Sequence, residues 1–283
     1  MDAPACIDRF AKRRGHGMSA NNEWLAIADF TFPVLFVTTG TLRTVLLTLL
    51  IVFGFSSSSF STGLHLITGR GRKLEVETEI DRGIIKFTAG DKVAARAHYD
   101  AAIKLDPKAW QAYYDRAVLS MIEKKWAPAL SDLNESIRLN PKYLHAAVMR
   151  SEINAHLGNY DAALSELDHL SKIQLNQSAE DVYNNRAWIR ATARNAAFRN
   201  GKLAVEDGIR ACNVSRWKSP FSLDSLAAGY AELGDFDSAA RYEQKAIENV
   251  NEIGAGPVSN NYFRKEFEQR LIAFKQHKLP SYN

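Results

Sequence analysis

The chain has 283 residues, 46% of them hydrophobic and 24% charged, a balance that excludes a disordered polymer and accommodates one or two folded domains. The net charge of +4 is small for this length and no dense basic stripe is present, so nucleic-acid binding is not expected. The two cysteines, Cys6 and Cys212, lie on opposite sides of a hydrophobic stretch, and no Cys or His pair has metal-site spacing, which argues against a disulfide framework and a zinc site.

Residues 1–33 form a leader that carries Arg9, Lys12, Arg13 and Arg14. Residues 34–55 are apolar and long enough to cross a bilayer as a helix, although Arg43 and five threonines interrupt them. Two readings of this segment stay open. Arg43, the uncharged run Thr44–Phe55 and the serines after it have the three-part order of a signal peptide, with cleavage near Ser59 or Ser61. An uncleaved anchor is the alternative, and the basic leader would then hold residue 1 in the cytoplasm. Either one places the rest of the chain on the exported side of a cell membrane, periplasmic or extracellular. A core helix packed against the remainder of the chain is a third, less favoured arrangement. Residues 56–75 are rich in Ser and Gly and are expected to be a flexible linker. Within them Gly69–Arg72 lacks the strand and helix that a phosphate loop requires.

Residues 76–253 repeat. Ala95, Ala129 and Ala163 recur at a constant interval of 34, and Ala204 and Ala239 follow at 41 and 35. Segments 90–107, 124–141, 158–175 and 234–251 align without a gap. A period of about 34 residues predicts stacked helical hairpins, each burying its apolar face only against its neighbours. The units are 76–109, 110–143, 144–177, 178–219 and 220–253. Small residues belong where the two helices of a hairpin cross: Gly83, Ala117, Ser151, Ala187 and Ala227 on the first, the repeating alanines on the second. Gly90, Gly158 and Gly234 fall at the turns, where positive φ is needed. Unit four is seven residues longer than the norm; its insertion at 193–201 reads as a tolerated surface loop or as a binding element. After Pro257, Tyr262, Phe263, Phe267, Leu271 and Phe274 share one face of a helix, and 258–279 is expected to cap the open end of the array.

The pattern resembles the tetratricopeptide repeat. Gly83, Gly90, Asp91, Ala95, Tyr99, Ala102 and Pro107 match in unit one, Gly158, Asn159, Tyr160 and Ala163 in unit three, and Ala227, Tyr230, Gly234, Asp235, Phe236, Ala239 and Ala246 in unit five. Unit two departs at its turn, Lys124-Lys125-Trp126, and unit three ends without proline. The closing repeats are similar to those of bacterial tetratricopeptide proteins that are exported or membrane-anchored. The resemblance implies an all-α, right-handed superhelical solenoid of about five hairpins plus the capping helix. It also implies a concave groove, lined by the first helix of each hairpin, that holds a partner peptide or helix. Carried across in register, the groove residues are Tyr114, Val118, Met121, His145, Val148, Glu152, Asn184 and Trp188. Groove lysines and arginines that would grip a terminal carboxylate are absent there, so that mode is not expected.

No catalytic constellation emerges. The histidines are scattered, and His145 and His156 share a helix about 16 Å apart, too far to share a metal. Cys212 stands where a small apolar residue belongs and is expected to be buried and inert. The expected function is a non-catalytic, cofactor-free scaffold or adaptor for a protein or peptide partner; a membrane-anchored structural spacer of an envelope complex is the alternative.

Overall fold

The computed structural model describes residues 57–173, 179–253 and 257–279. The leader and the apolar stretch 34–55, and with them the signal-peptide and anchor readings, lie outside the described residues. Among the described residues no helix is long and apolar enough to cross a membrane. The described residues form eleven α-helices: α1 (Ser57–Thr88), α2 (Lys92–Leu105), α3 (Trp110–Ile122), α4 (Trp126–Leu139), α5 (Leu144–His156), α6 (Tyr160–Leu170), α7 (Ala179–Thr192), α8 (Gly201–Val214), α9 (Pro220–Glu232), α10 (Phe236–Glu248) and α11 (Pro257–Lys275). The first ten pair into five hairpins, α1/α2 through α9/α10, and α11 packs on the last.

The small-residue register holds throughout. Ala117, Ser151, Ala187 and Ala227 on the first helices are fully buried, as are Ala95, Ala129, Ala163, Ala204 and Ala239 on the second. A side chain at Gly83 would bring its Cβ within 2.4 Å of the Tyr99 ring, which is why the crossing in the first hairpin takes no Cβ. At the turns Gly90, Gly158 and Gly234 have φ of 83°, 82° and 83°. Lys124, the equivalent residue of unit two, keeps the same left-handed geometry at φ 57° and bears the strain a glycine avoids. Asp91 and Asp235, next to two of these glycines, accept hydrogen bonds from the backbone N–H of Ala94 and Ser238 at 3.0 Å and so cap the helices they precede.

One expectation is corrected here. Residues 57–75 are not a flexible linker but the first part of α1, a helix of 32 residues where the others in the hairpins have 11 to 14. Val76, Ile80, Gly83 and Phe87, at spacings of four and three, bury one face of α1 against the next helices. Once that face has fixed the helix, propagation toward the N-terminus adds a hydrogen bond per residue and tolerates weak formers such as Ser and Gly. Composition alone hides this.

The insertion of unit four is stitched to the array rather than free. After Ala196–Phe198, a 3₁₀ turn, the chain returns so that Asn200 N–H donates to the Arg190 carbonyl at 2.7 Å. Phe198 packs on Tyr160 with ring centroids 5.3 Å apart, and the Tyr160 hydroxyl accepts from Arg194 N–H at 3.1 Å. Arg199 pairs with Glu232 of α9 at 3.2 Å.

Candidate functional site

In register, the first helices α3, α5, α7 and α9 would line a groove, and the structure places seven of the eight expected residues deep in the protein. Tyr114, Val118, Met121, His145, Val148, Asn184 and Trp188 are buried; Glu152 alone stays half-exposed. Tyr114 meets Tyr143 edge-on at 4.9 Å, and Tyr143 also contacts Trp110 at 4.6 Å and His145 at 5.3 Å. This aromatic knot joins α3 to the start of α5. Asn184 accepts a hydrogen bond from Ser225 Oγ of α9 at 2.8 Å. Trp188 lies beneath the Arg270 guanidinium, 5.4 Å from its ring centre, so α11 reaches back over α7. The expected open aromatic surface is therefore largely used inside the chain, because each first helix is flanked by its own partner and by both neighbouring hairpins.

A second polar system lies beyond the sequence expectations. Arg116 of α3 donates from Nε and Nη2 to the two oxygens of Asp132 on α4, at 2.8 and 2.7 Å, and from Nη1 to Asp100 on α2 at 2.6 Å. One hairpin later, Arg150 donates in the same way to Glu166 on α6, at 3.2 and 2.5 Å, and to Asn134 on α4 at 2.7 Å. In unit four Arg186 forks onto Asp207 of α8 and reaches Asp168 on α6 at 2.9 Å and Ser171 at 2.8 Å; Arg190 joins the same two carboxylates. Each arginine thus ties the second helix of its own hairpin to that of the preceding one. Planar guanidinium forks suit this bridging, and such charge-assisted bonds are about twice as strong as neutral ones. The bond to Asp132 lifts the Arg116 pKa above its ordinary value. Burial disfavours the charge on Arg186, yet Asp207 and Asp168 more than offset it. The signal for this ladder is in the sequence: Arg82, Arg116 and Arg150 recur once per repeat, as do Asp100, Asn134 and Asp168.

A third polar cluster closes the array. Arg270 of α11 lies 2.8 Å from Asp224 of α9 and 3.6 Å from Glu243 of α10. Burial pushes the Glu243 carboxyl well above its usual range, and the neighbouring Asp224 pushes it further; Arg270 only partly opposes this. Asp224 is also raised by burial, against the pull of Arg270. Arg270 lies closer to Asp224 than to Glu243, so the ion pair falls mainly on Asp224, and burial beside a second carboxylate disfavours the charge on Glu243.

Burial pushes the Cys212 thiol up to about 12, which keeps it inert as expected. His156 stacks on Trp126 at 5.1 Å. Among the described residues no group of three His, Cys, Asp or Glu is placed to hold a metal ion.

No protein-family model matches the chain. Over 153 residues it is 30% identical to the tetratricopeptide repeat and J domain-containing co-chaperone DNJ1 of Cryptococcus neoformans var. grubii, a match covering 52% of this chain and 29% of that protein. The chain thus spans under a third of that relative's length. Among solved structures, a thermophilic TPR protein of Thermus thermophilus superposes with a TM-score of 0.55 at 19% identity, covering 70% of this chain and 99% of that one. PilF of Pseudomonas aeruginosa does so with a TM-score of 0.55 at 15% identity, covering 73% and 91%. The hairpin stack, its register and these neighbours together give the chain a tetratricopeptide-repeat fold, an architecture suited to protein–protein interaction.

Proposed function

We propose that this protein is a non-catalytic scaffold that holds an extended or helical segment of a partner polypeptide along its first helices. The observation that carries the reading is Asn185 on α7. Its carboxamide is buried, and neither its Oδ1 nor its Nδ2 has a hydrogen-bond partner. A buried amide left unpaired costs roughly 1–3 kcal/mol, a standing penalty that a partner's backbone N–H and C=O would relieve once the Asn185 side chain turns outward on binding. Asp115 and Ser225 occupy equivalent positions on α3 and α9, and Glu152 on α5 adds a half-exposed carboxylate at the groove register. The co-chaperone name of the matched relative fits a partner of the chaperone type or its polypeptide client.

The test uses a permanently unfolded, reduced and carboxymethylated polypeptide as probe. Asn185→Leu, which removes both orphan groups at similar volume, should hold or raise the melting temperature while weakening capture at least tenfold. Glu152→Lys should weaken it too. Capture unaffected by both substitutions would remove the inner helices from the binding surface.

A tethered-spacer role is a second reading, supported by α1. That helix has 32 residues, about 48 Å at 1.5 Å per residue, and begins at Ser57, just after the apolar stretch 34–55. Export and anchoring are part of this proposal. N-terminal sequencing of the protein from fractionated cells separates them: an intact terminus in the membrane pellet supports the spacer, a new terminus near Ser59–Ser61 a secreted adaptor, and an intact soluble chain neither.

A further inference from the structure

The arginine ladder has an open end. Arg82 on α1 stands one repeat before Arg116, in the same register as the arginines of units two and three, but no hairpin precedes it among the described residues. Its side chain is 58% exposed, against 23% for Arg116 and 29% for Arg150, and its ion pair is a local one to Glu79 at 2.7 Å.

The neighbours of Arg82 repeat the message. Ala112 and Leu119 of α3, four residues before and three after Arg116, are fully buried, and so are Ala146 and Ile153 around Arg150. Ala112 packs with Val76, Ile80 and Ala102 of the preceding hairpin, and Arg116 reaches Asp100 there. This face of a first helix is therefore the one a preceding hairpin covers. On α1 the equivalent residues are Thr78, half-exposed, and Ile85, 64% exposed. Leu74 extends the stripe by one more turn and is equally uncovered. Leu105, from the end of α2, joins Leu74, Glu75, Thr78, Glu79 and Arg82 around a cleft of about 420 Å³.

What fits this face is set by what fills it elsewhere in the molecule. In units one to three the covering second helix places a large apolar residue directly before an Asp or Asn: Tyr99-Asp100, Leu133-Asn134 and Leu167-Asp168. We propose that the stripe Leu74–Thr78–Arg82–Ile85 docks an amphipathic helix of a partner protein that carries this apolar-acid pair, its carboxylate or amide accepting from Arg82 and its apolar residues covering Leu74 and Ile85. The docked helix adds a layer to the array. The face lies on α1, apart from the groove helices α3, α5, α7 and α9, so its failure would leave the scaffold reading untouched, and the reverse also holds.

The probe is a peptide of residues 91–107, the segment that covers this face of unit two, helically constrained by a side-chain cross-link at solvent-facing positions. Constraint removes the nucleation cost that keeps so short a helix from forming alone. Saturable binding to the full chain is expected, weakened at least tenfold by Arg82→Glu and also by Ile85→Asp, both at exposed sites. Pairing Arg82→Glu with a peptide in which Asp100 is replaced by Lys should restore it. Absence of saturable binding, or binding indifferent to Arg82→Glu, overturns the proposal. Two measurements on the full chain expose other occupants. A dimer by light scattering that Ile85→Asp dissociates would assign the face to a second copy. A monomer whose Leu74 and Ile85 resist hydroxyl-radical labelling would assign it to the chain's own leader. Either result overturns a partner protein; a monomer labelled at both residues supports it.

Discussion

At the C-terminal end of the array, α11 lays Phe263, Phe267, Leu271 and Phe274 over the last hairpin, and Phe221 meets Phe263 edge-on at 5.0 Å. At the N-terminal end, the first hairpin shows Leu74, Ile85, Val93 and Leu105 to solvent. A solenoid has no closed core, so each end must meet the free-energy cost of an uncovered apolar layer. The C-terminal end meets it by burial, and accepts two buried carboxylates facing one arginine in return. The N-terminal end keeps its apolar stripe beside an arginine that is already in register for another layer. Among the described residues the contrast separates a covered end from one that leaves an apolar stripe exposed.

The largest effect should come from removing the cap's anchor. Phe267→Ala should cost about 3–5 kcal/mol at the C-terminal end and speed amide exchange in α9 and α10 while leaving α1 and α2 unchanged. Equal change at both ends would mean that the ends are not independent. Next, Arg186→Ala removes the fork onto the buried Asp207, leaving it Arg190 and, at 3.5 Å, Arg210, and should lower stability by about 3 kcal/mol in urea titration, whereas Arg82→Ala should stay within about 0.5 kcal/mol. Comparable losses would show that Arg82 is already bridging. A matched pair tests the apolar stripe: Leu119→Ala should cost about 2–5 kcal/mol and Ile85→Ala, at the equivalent position of the first hairpin, less than about 0.5 kcal/mol. A large loss at Ile85 would place a cover over it.

The smallest effect is a pH dependence at the closed end. Glu243 has a folded-state pKa raised above its ordinary 4.5, so it resists ionisation that the unfolded chain accepts. Below about pH 4.5 both states are protonated and nothing is lost; as pH rises from there toward the folded value, the penalty on the folded state grows. Glu243→Gln removes that penalty. The melting temperature of the variant relative to the parent should therefore climb as the pH is raised above about 4.5; a constant difference would mean that Glu243 ionises freely in the fold.

Much of this architecture can be read directly. The five hairpins, their small-residue crossings, the glycine turns and the capping helix all follow from local geometry that one residue type satisfies and others do not, as at Gly83 and Gly90. The ladder is equally visible as Arg82, Arg116 and Arg150, but apolar periodicity does not register polar residues. The start of α1 escapes a sequence reading because Ser and Gly report weak local propensity, while the helix depends on packing that begins at Val76. The burial of the groove residues escapes a sequence reading for a related reason. A helical register says which side chains share a face, not how closely the neighbouring helices close over it, and Trp188 is covered by Arg270 from the far end of the array.

The sequence by itself determined the repeat, because each hairpin is stabilised by contacts within itself and with its nearest neighbours, and those contacts recur in every unit. Only the tertiary structure decided which faces are spent and which remain open. Burial of Asn184 and Trp188, the raised Glu243 carboxyl beside Asp224, and the open rung at Arg82 depend on what packs against each helix, a quantity that no single stretch of chain contains.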